Sequence, residues 1–225
     1  MQYLYLVPIC LALAAVFIAV EKMGSYLVAD VIKGVASAFF VVLGILGAFK
    51  SNDVVYARWI VGGLVLGAVA DVLLNLRYVF AGSKGQLAFL AGIAVFLLGH
   101  VAYTIGCLPY CRWLPFALIL GVILTALLLY WIFGQIEAKT TLKVFGVFYI
   151  GAIVILNCVA LVALINAPSQ HWLLFAAGTL LFLGSDVILI LNTFGPKARF
   201  TWRIANLMLY YVGQLCIALS LQLPL

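Results

Sequence analysis

The stretch Ala70-Asp71-Val72-Leu73-Leu74 returns, little changed, as Ser185-Asp186-Val187-Ile188-Leu189. Each copy sets one aspartate inside a long apolar run. Each is followed by a glycine–polar pair, Gly99-His100 after 29 residues and Gly213-Gln214 after 28. A carboxylate in hydrocarbon is costly, so it persists where it pairs, binds or reacts.

The sequence on either side is of the same kind throughout. Of 225 residues, 68% are apolar and 8% charged, with a mean hydropathy of +1.31. A soluble domain must present a polar exterior, and this composition leaves too little for one. The chain therefore reads as an integral, polytopic membrane protein. Its formal net charge of +6 reports loop orientation and contact with anionic lipid, not nucleic-acid binding. Residues 1–20 are apolar without a basic leader, which predicts a retained first helix instead of a cleaved signal peptide. The five cysteines form no CxxC and no disulfide framework, and Cys107 and Cys111 are expected to be small buried residues.

Charges and turn residues divide the sequence into eight apolar segments: 3–20, 26–49, 55–76, 86–108, 112–133, 142–166, 170–193 and 201–221. Most are close to the ~20 residues that span a bilayer as helix. The expectation is an all-α membrane protein of eight transmembrane helices in a single domain, 1–225, with no extramembrane part. An offset of 115 places Asp71 on Asp186, and 114 places Gly99-His100 on Gly213-Gln214. Helices three and four then correspond to seven and eight, which predicts a parallel four-plus-four repeat with halves 1–111 and 112–225. The odd loops carry Lys22, Arg77, Lys84, Lys139, Lys143, Lys197, Arg199 and Arg203, whereas the even ones hold Lys50, Arg58 and Arg112. Positive charge favours the cytoplasm, so both termini are expected outside, in a bacterial inner membrane.

Counting at 1.5 Å per residue from these loops puts Asp71 and Asp186 about 8–12 Å from the cytoplasmic end of their helices. Lys33 falls at a similar depth, with Asp30 one turn away as its i,i+3 partner. Tyr210, Tyr211 and Gln214 lie near the same level, and His100 and Tyr103 deeper. These residues predict a polar cavity nearer the cytoplasm. The simpler reading of the acids is a structural salt bridge to Lys33 tying helices together. A zinc site would need more ligands than His100 and His171 supply, and no GxSxG elbow or phosphate-cradling glycine loop is present. Carboxylate chemistry, or movement of ions or protons, remains.

The polar pattern resembles the YhhN family, the lysoplasmalogenases of bacteria and animals. It is carried by Asp71 on the third helix; Gly92, Phe96, His100 and Tyr103 on the fourth; Gly178, Phe182, Ser185 and Asp186 on the seventh; and Tyr210, Tyr211 and Gln214 on the eighth. Lys33 matches the family's lysine on helix two, while Ala70 and Gly34 stand where the family usually has Gly and Pro. The resemblance implies hydrolysis of a lysoplasmalogen vinyl ether to a fatty aldehyde and glycerophosphoethanolamine or glycerophosphocholine, with no metal or other cofactor. That reaction needs a protonated acid to protonate the β-carbon and a carboxylate to steady the oxocarbenium ion. Burial favours the neutral form of a carboxyl and a neighbouring cation the charged form, so two aspartates can divide the tasks. Asp71 and Asp186 are the expected acid/base pair. Lys33 would tune them or meet the head group, and His100, Tyr103, Ser185, Tyr210, Tyr211 and Gln214 would hold water and a lysophospholipid. The rival readings are a small proton-coupled or lipid transporter, whose acids carry protons, and a non-catalytic lipid-binding protein.

Overall fold

A computed structural model describes residues 3–225. The described residues form eight α-helices: α1 Leu6–Lys22, α2 Tyr26–Ala48, α3 Val54–Leu76, α4 Gly82–Cys107, α5 Leu114–Phe133, α6 Thr140–Asn166, α7 Gln170–Phe194 and α8 Phe200–Ser220. A single 3₁₀ turn, Leu108–Tyr110, follows α4. The helices alternate in direction. All odd-numbered connections lie at one end of the bundle, which carries most of the lysine and arginine and is called the basic end below.

Six helices, α2 to α7, are long and apolar enough to cross a membrane, which makes this an integral multi-pass membrane protein. The expectation of eight such spans is met in part. α1 has 17 residues, about 26 Å of helix. α8 carries Arg203, Asn206, Tyr210, Tyr211 and Gln214 because it is packed inside the bundle, against α1, α2, α3 and α7. α5 is peripheral and rests on α6.

Helix ends are fixed by local chemistry. Asp53 caps α3 by accepting from the Val55 and Tyr56 backbone amides, both at 2.9 Å. The Tyr110 hydroxyl donates to its other oxygen and holds the carboxyl below its usual range, aided by those amides. Ser169 caps α7 through the Trp172 amide. At the basic end, Arg203 grips Glu21 through two bonds of 2.8 and 3.1 Å, tying α8 to α1. At the other end, His171 joins Tyr56 and the Ser220 carbonyl, both at 2.8 Å. Cys107 and Cys111 are buried free thiols, as expected.

The pairs α3–α4 and α7–α8 close through glycines. Gly63 makes room for the Tyr103 ring, and Gly99 lies against the Gly63 carbonyl. Gly178 and Gly213 occupy the corresponding places in α7 and α8, each against the other's carbonyl. Helix packing is similar in part along the chain: α1–α2, α2–α3, α3–α4 and α2–α8 are matched by α5–α6, α6–α7, α7–α8 and α4–α6, whereas α8 also packs on α1 and α3. Backbones this close exchange dispersion contacts that side chains would prevent. A Cβ on Gly178 would sit 2.7 Å from the Gly213 oxygen and 3.0 Å from the Ile217 nitrogen, both backbone atoms. Gly178→Ala is therefore expected to destabilise the protein by about 1–3 kcal/mol. Gly62→Ala, with nothing within 4 Å of the added carbon, should leave stability unchanged or slightly raised. Thermal unfolding in detergent distinguishes them, and equal midpoints would refute the close-approach account.

Candidate active site

Asp71 and Asp186 line one cavity together with Lys33, Phe96, Ser185 and Tyr210. Both aspartates are almost fully buried, at 2% and 3% exposure. Their surroundings differ.

Asp71 is saturated with donors. Lys33 Nζ lies 3.0 Å from Oδ1 and also donates to the Asp71 carbonyl at 3.2 Å. Oδ2 accepts from Ser37 Oγ at 2.6 Å and from the Tyr210 hydroxyl at 2.7 Å. Behind these stands a second row. Tyr211 bonds Ser37 and the Lys33 carbonyl, both at 3.3 Å. Gln214 donates to Tyr210 at 3.3 Å and accepts from Tyr103 at 2.8 Å. Gly67 provides the space for this row, since a Cβ there would meet Gln214 Nε2 at 2.7 Å. Lys33 also lies over the Phe17 ring of α1, at 5.7 Å.

Asp186 is sparsely held. Its Oδ2 accepts from the Tyr149 hydroxyl at 2.9 Å, and His100 Nε2 is 3.7 Å away, beyond hydrogen-bond length. No donor among the described residues bonds Oδ1. His100 is fully buried, yet neither ring nitrogen has a hydrogen-bond partner among the described residues. It is walled by Phe182 at 4.8 Å and Tyr149 at 5.3 Å between ring centroids. The imidazole thus has two unmade hydrogen bonds beside an open carboxylate oxygen, which leaves it able to bond water or a substrate atom.

The sequence-derived residues therefore gather, but in different roles. Lys33, Tyr210 and Asp71 meet directly; Tyr211, Gln214 and Tyr103 support them at one remove. Ser185 lines the cavity and is fixed by Asn206, at 2.7 Å, without touching an acid. The expected Asp30–Lys33 pair is not formed: Lys33 turns across to α3, and Asp30 Oδ1 is left buried without a hydrogen bond. His100 is also less remote than loop counting implied. Gly92 packs on Leu74 and Gly99 on Gly63, so the first turns of α4 extend past the end of α3. His100 thereby comes down to the level of Asp186.

Ser37 and Tyr149 were not among the expected site residues. Ser37 is one turn from Lys33 on the same face of α2, and Tyr149 is a phenol well inside an apolar helix. Beside the polar cavity lies an apolar pocket between α4, α5, α6 and α7, and Leu74, Phe89, Phe96 and Leu189 line both spaces.

The model of the YhhN family matches residues 7–221. No curated protein matches the chain, nor does any solved structure.

Proposed function

The chain belongs to the YhhN family, and on that premise we propose that it is an intramembrane hydrolase of lysoplasmalogen, cleaving the vinyl ether to a fatty aldehyde and a glycerophospho-alcohol. The observation that carries this reading is the inequality of two carboxylates facing one cavity. Asp71 is fixed by a cation and two hydroxyls. Asp186 keeps an oxygen free beside His100. Unlike environments are how paired carboxyl groups come to act as acid and base.

In the proposed reaction Asp186, as the carboxylic acid, transfers its proton to the β-carbon of the vinyl ether. The C=C electrons form that C–H bond, and the ether oxygen shares its electrons to give an oxocarbenium ion. The carboxylates of Asp186 and Asp71 then face the cation in a site from which bulk water is excluded, where charge stabilisation is strongest. Water held at His100 adds to the cationic carbon and returns a proton to Asp186. The hemiacetal collapses by passing its hydroxyl proton to the glycerol oxygen, releasing aldehyde and alcohol. Acid and base are restored. Tyr149 keeps the Asp186 side chain aimed, and the apolar pocket receives the hydrocarbon chain.

The four-plus-four repeat belongs to the same reading. Asp71 is met from α2 and α8, and Asp186 from the corresponding α6 and α4. The test is purified protein with a lysoplasmalogen and, separately, its saturated alkyl analogue. Free aldehyde from the vinyl compound alone is the expected result. No aldehyde, with solute or lipid flux into proteoliposomes, would replace hydrolysis with transport.

A further inference from the structure

The mouth of the cavity, at its basic end, holds two buried hydrogen-bond donors with no partner among the described residues. Asn75 is 1% exposed, and its Oδ1 accepts from Arg203 Nη2 at 3.3 Å. Since arginine only donates, this contact identifies the amide oxygen and leaves Nδ2 as the free end. Nδ2 is buried and unpartnered. Arg77 Nε is buried and unpartnered as well. The Arg77 guanidinium stacks on Tyr78 and Phe89, each at 4.6 Å, and donates to the Tyr78 hydroxyl, but it forms no ion pair among the described residues. Arg203 is different, for Glu21 matches it in a two-bond clamp. Asn75, Arg77 and Arg203 all line the cavity that holds the two aspartates.

A buried donor left unsatisfied costs about 1–3 kcal/mol. Two such donors, one on an unpaired guanidinium, are suited to an oxyanion, and arginine is the residue that grips phosphate by geometry as well as charge. The surroundings say which kind of phosphate. Phe89, under the guanidinium, also lines the apolar pocket, so an anion held at Arg77 has hydrocarbon space next to it. Along α3, Asn75 is one turn from Asp71, about 6 Å. A glycerol backbone separates a phosphate from its chain-bearing ether by a similar distance.

We infer that Asn75 Nδ2 and Arg77 Nε hold the phosphate of a single-chain phospholipid whose chain enters the apolar pocket, setting the chain's first bond between Asp71 and Asp186. The inference rests on the hydrolase reading only for what happens at that bond. Phosphate held at the mouth also sets substrate class: a neutral glyceryl ether lacks the group that these donors recognise.

Binding is measured on the detergent-purified full chain with three probes: a saturated alkyl lysophosphoethanolamine, the matching alkylglycerol without phosphate, and inorganic phosphate. Asn75→Asp keeps the acceptor for Arg203 and removes the donor, and Arg77→Gln removes the guanidinium. Each is expected to weaken the phospholipid about tenfold or more, the loss of one charge-assisted hydrogen bond, and to leave the alkylglycerol unchanged. Equal weakening of both lipids, or of neither, overturns the assignment. Inorganic phosphate binding as tightly as the phospholipid gives the mouth to a soluble anion and overturns the lipid. The saturated probe cannot be hydrolysed, so absence of aldehyde release by the unaltered protein would sink the catalytic reading without touching this one.

Discussion

Asp186→Asn is expected to lower aldehyde release by about 10²–10⁴-fold, the range general acid catalysis supplies, in a protein that still folds. Asparagine has nearly the same shape, and its oxygen can accept from Tyr149 as the carboxylate does. No lysine or arginine among the described residues pairs with Asp186, whose neighbouring imidazole, His100, lies at 3.7 Å. In the proposed reaction, what is lost is the transferable proton. The measurement is aldehyde formation from a lysoplasmalogen, beside thermal unfolding of the same preparation. Activity above a tenth of the unaltered level, with unfolding unchanged, would remove Asp186 from the chemistry. Tyr149→Phe is the milder companion, because it leaves the carboxyl group in place and frees only its orientation.

The helices and the two acids were legible because their causes are local. Apolar runs near bilayer length, broken by charged turns, give helix limits within a few residues of those observed. Intramembrane aspartates announce themselves by their cost. What the sequence left open is register between helices. Lys33 is one turn from Asp30 in its own helix, but its partner is Asp71 on the next, because the α2–α3 packing points the ammonium there. Loop counting left His100 too deep, since it assumes that neighbouring helices start level, and α4 does not. Ser37, Tyr149 and Asn75 went unnamed for a related reason. Each is an ordinary residue until another helix brings it an acid or an arginine.

The proposed correspondence between halves also changes meaning in three dimensions. In sequence the uneven member is His100 against Gln214. In the structure Gln214 does not reach Asp71; it supports Tyr210, which does. The larger inequality lies between α2 and α6. Where α2 supplies a lysine and a serine to Asp71, α6 supplies one phenol to Asp186. The surroundings of the two acids are thus made unequal chiefly by one cation.

Lys33→Met tests that cation with the largest expected effect on stability. Methionine fills the space of the lysine stem but leaves Asp71 buried with only Ser37 and Tyr210 as donors. Breaking a buried ion pair on one side costs about 3–5 kcal/mol, because the remaining charge is uncompensated. Asp71→Asn alone strands Lys33 in the same way. The double variant Lys33→Met with Asp71→Asn strands neither, so it should be more stable than either single variant and close to the unaltered protein. Thermal or denaturant unfolding in detergent measures all four proteins, and additive losses would show that the pair does not act as a unit. The double variant also separates the two meanings of the salt bridge. If the pair served only to tie α2 to α3, a stable double variant would still release aldehyde. The proposed role of the Asp71 carboxylate requires that it be stable and inactive.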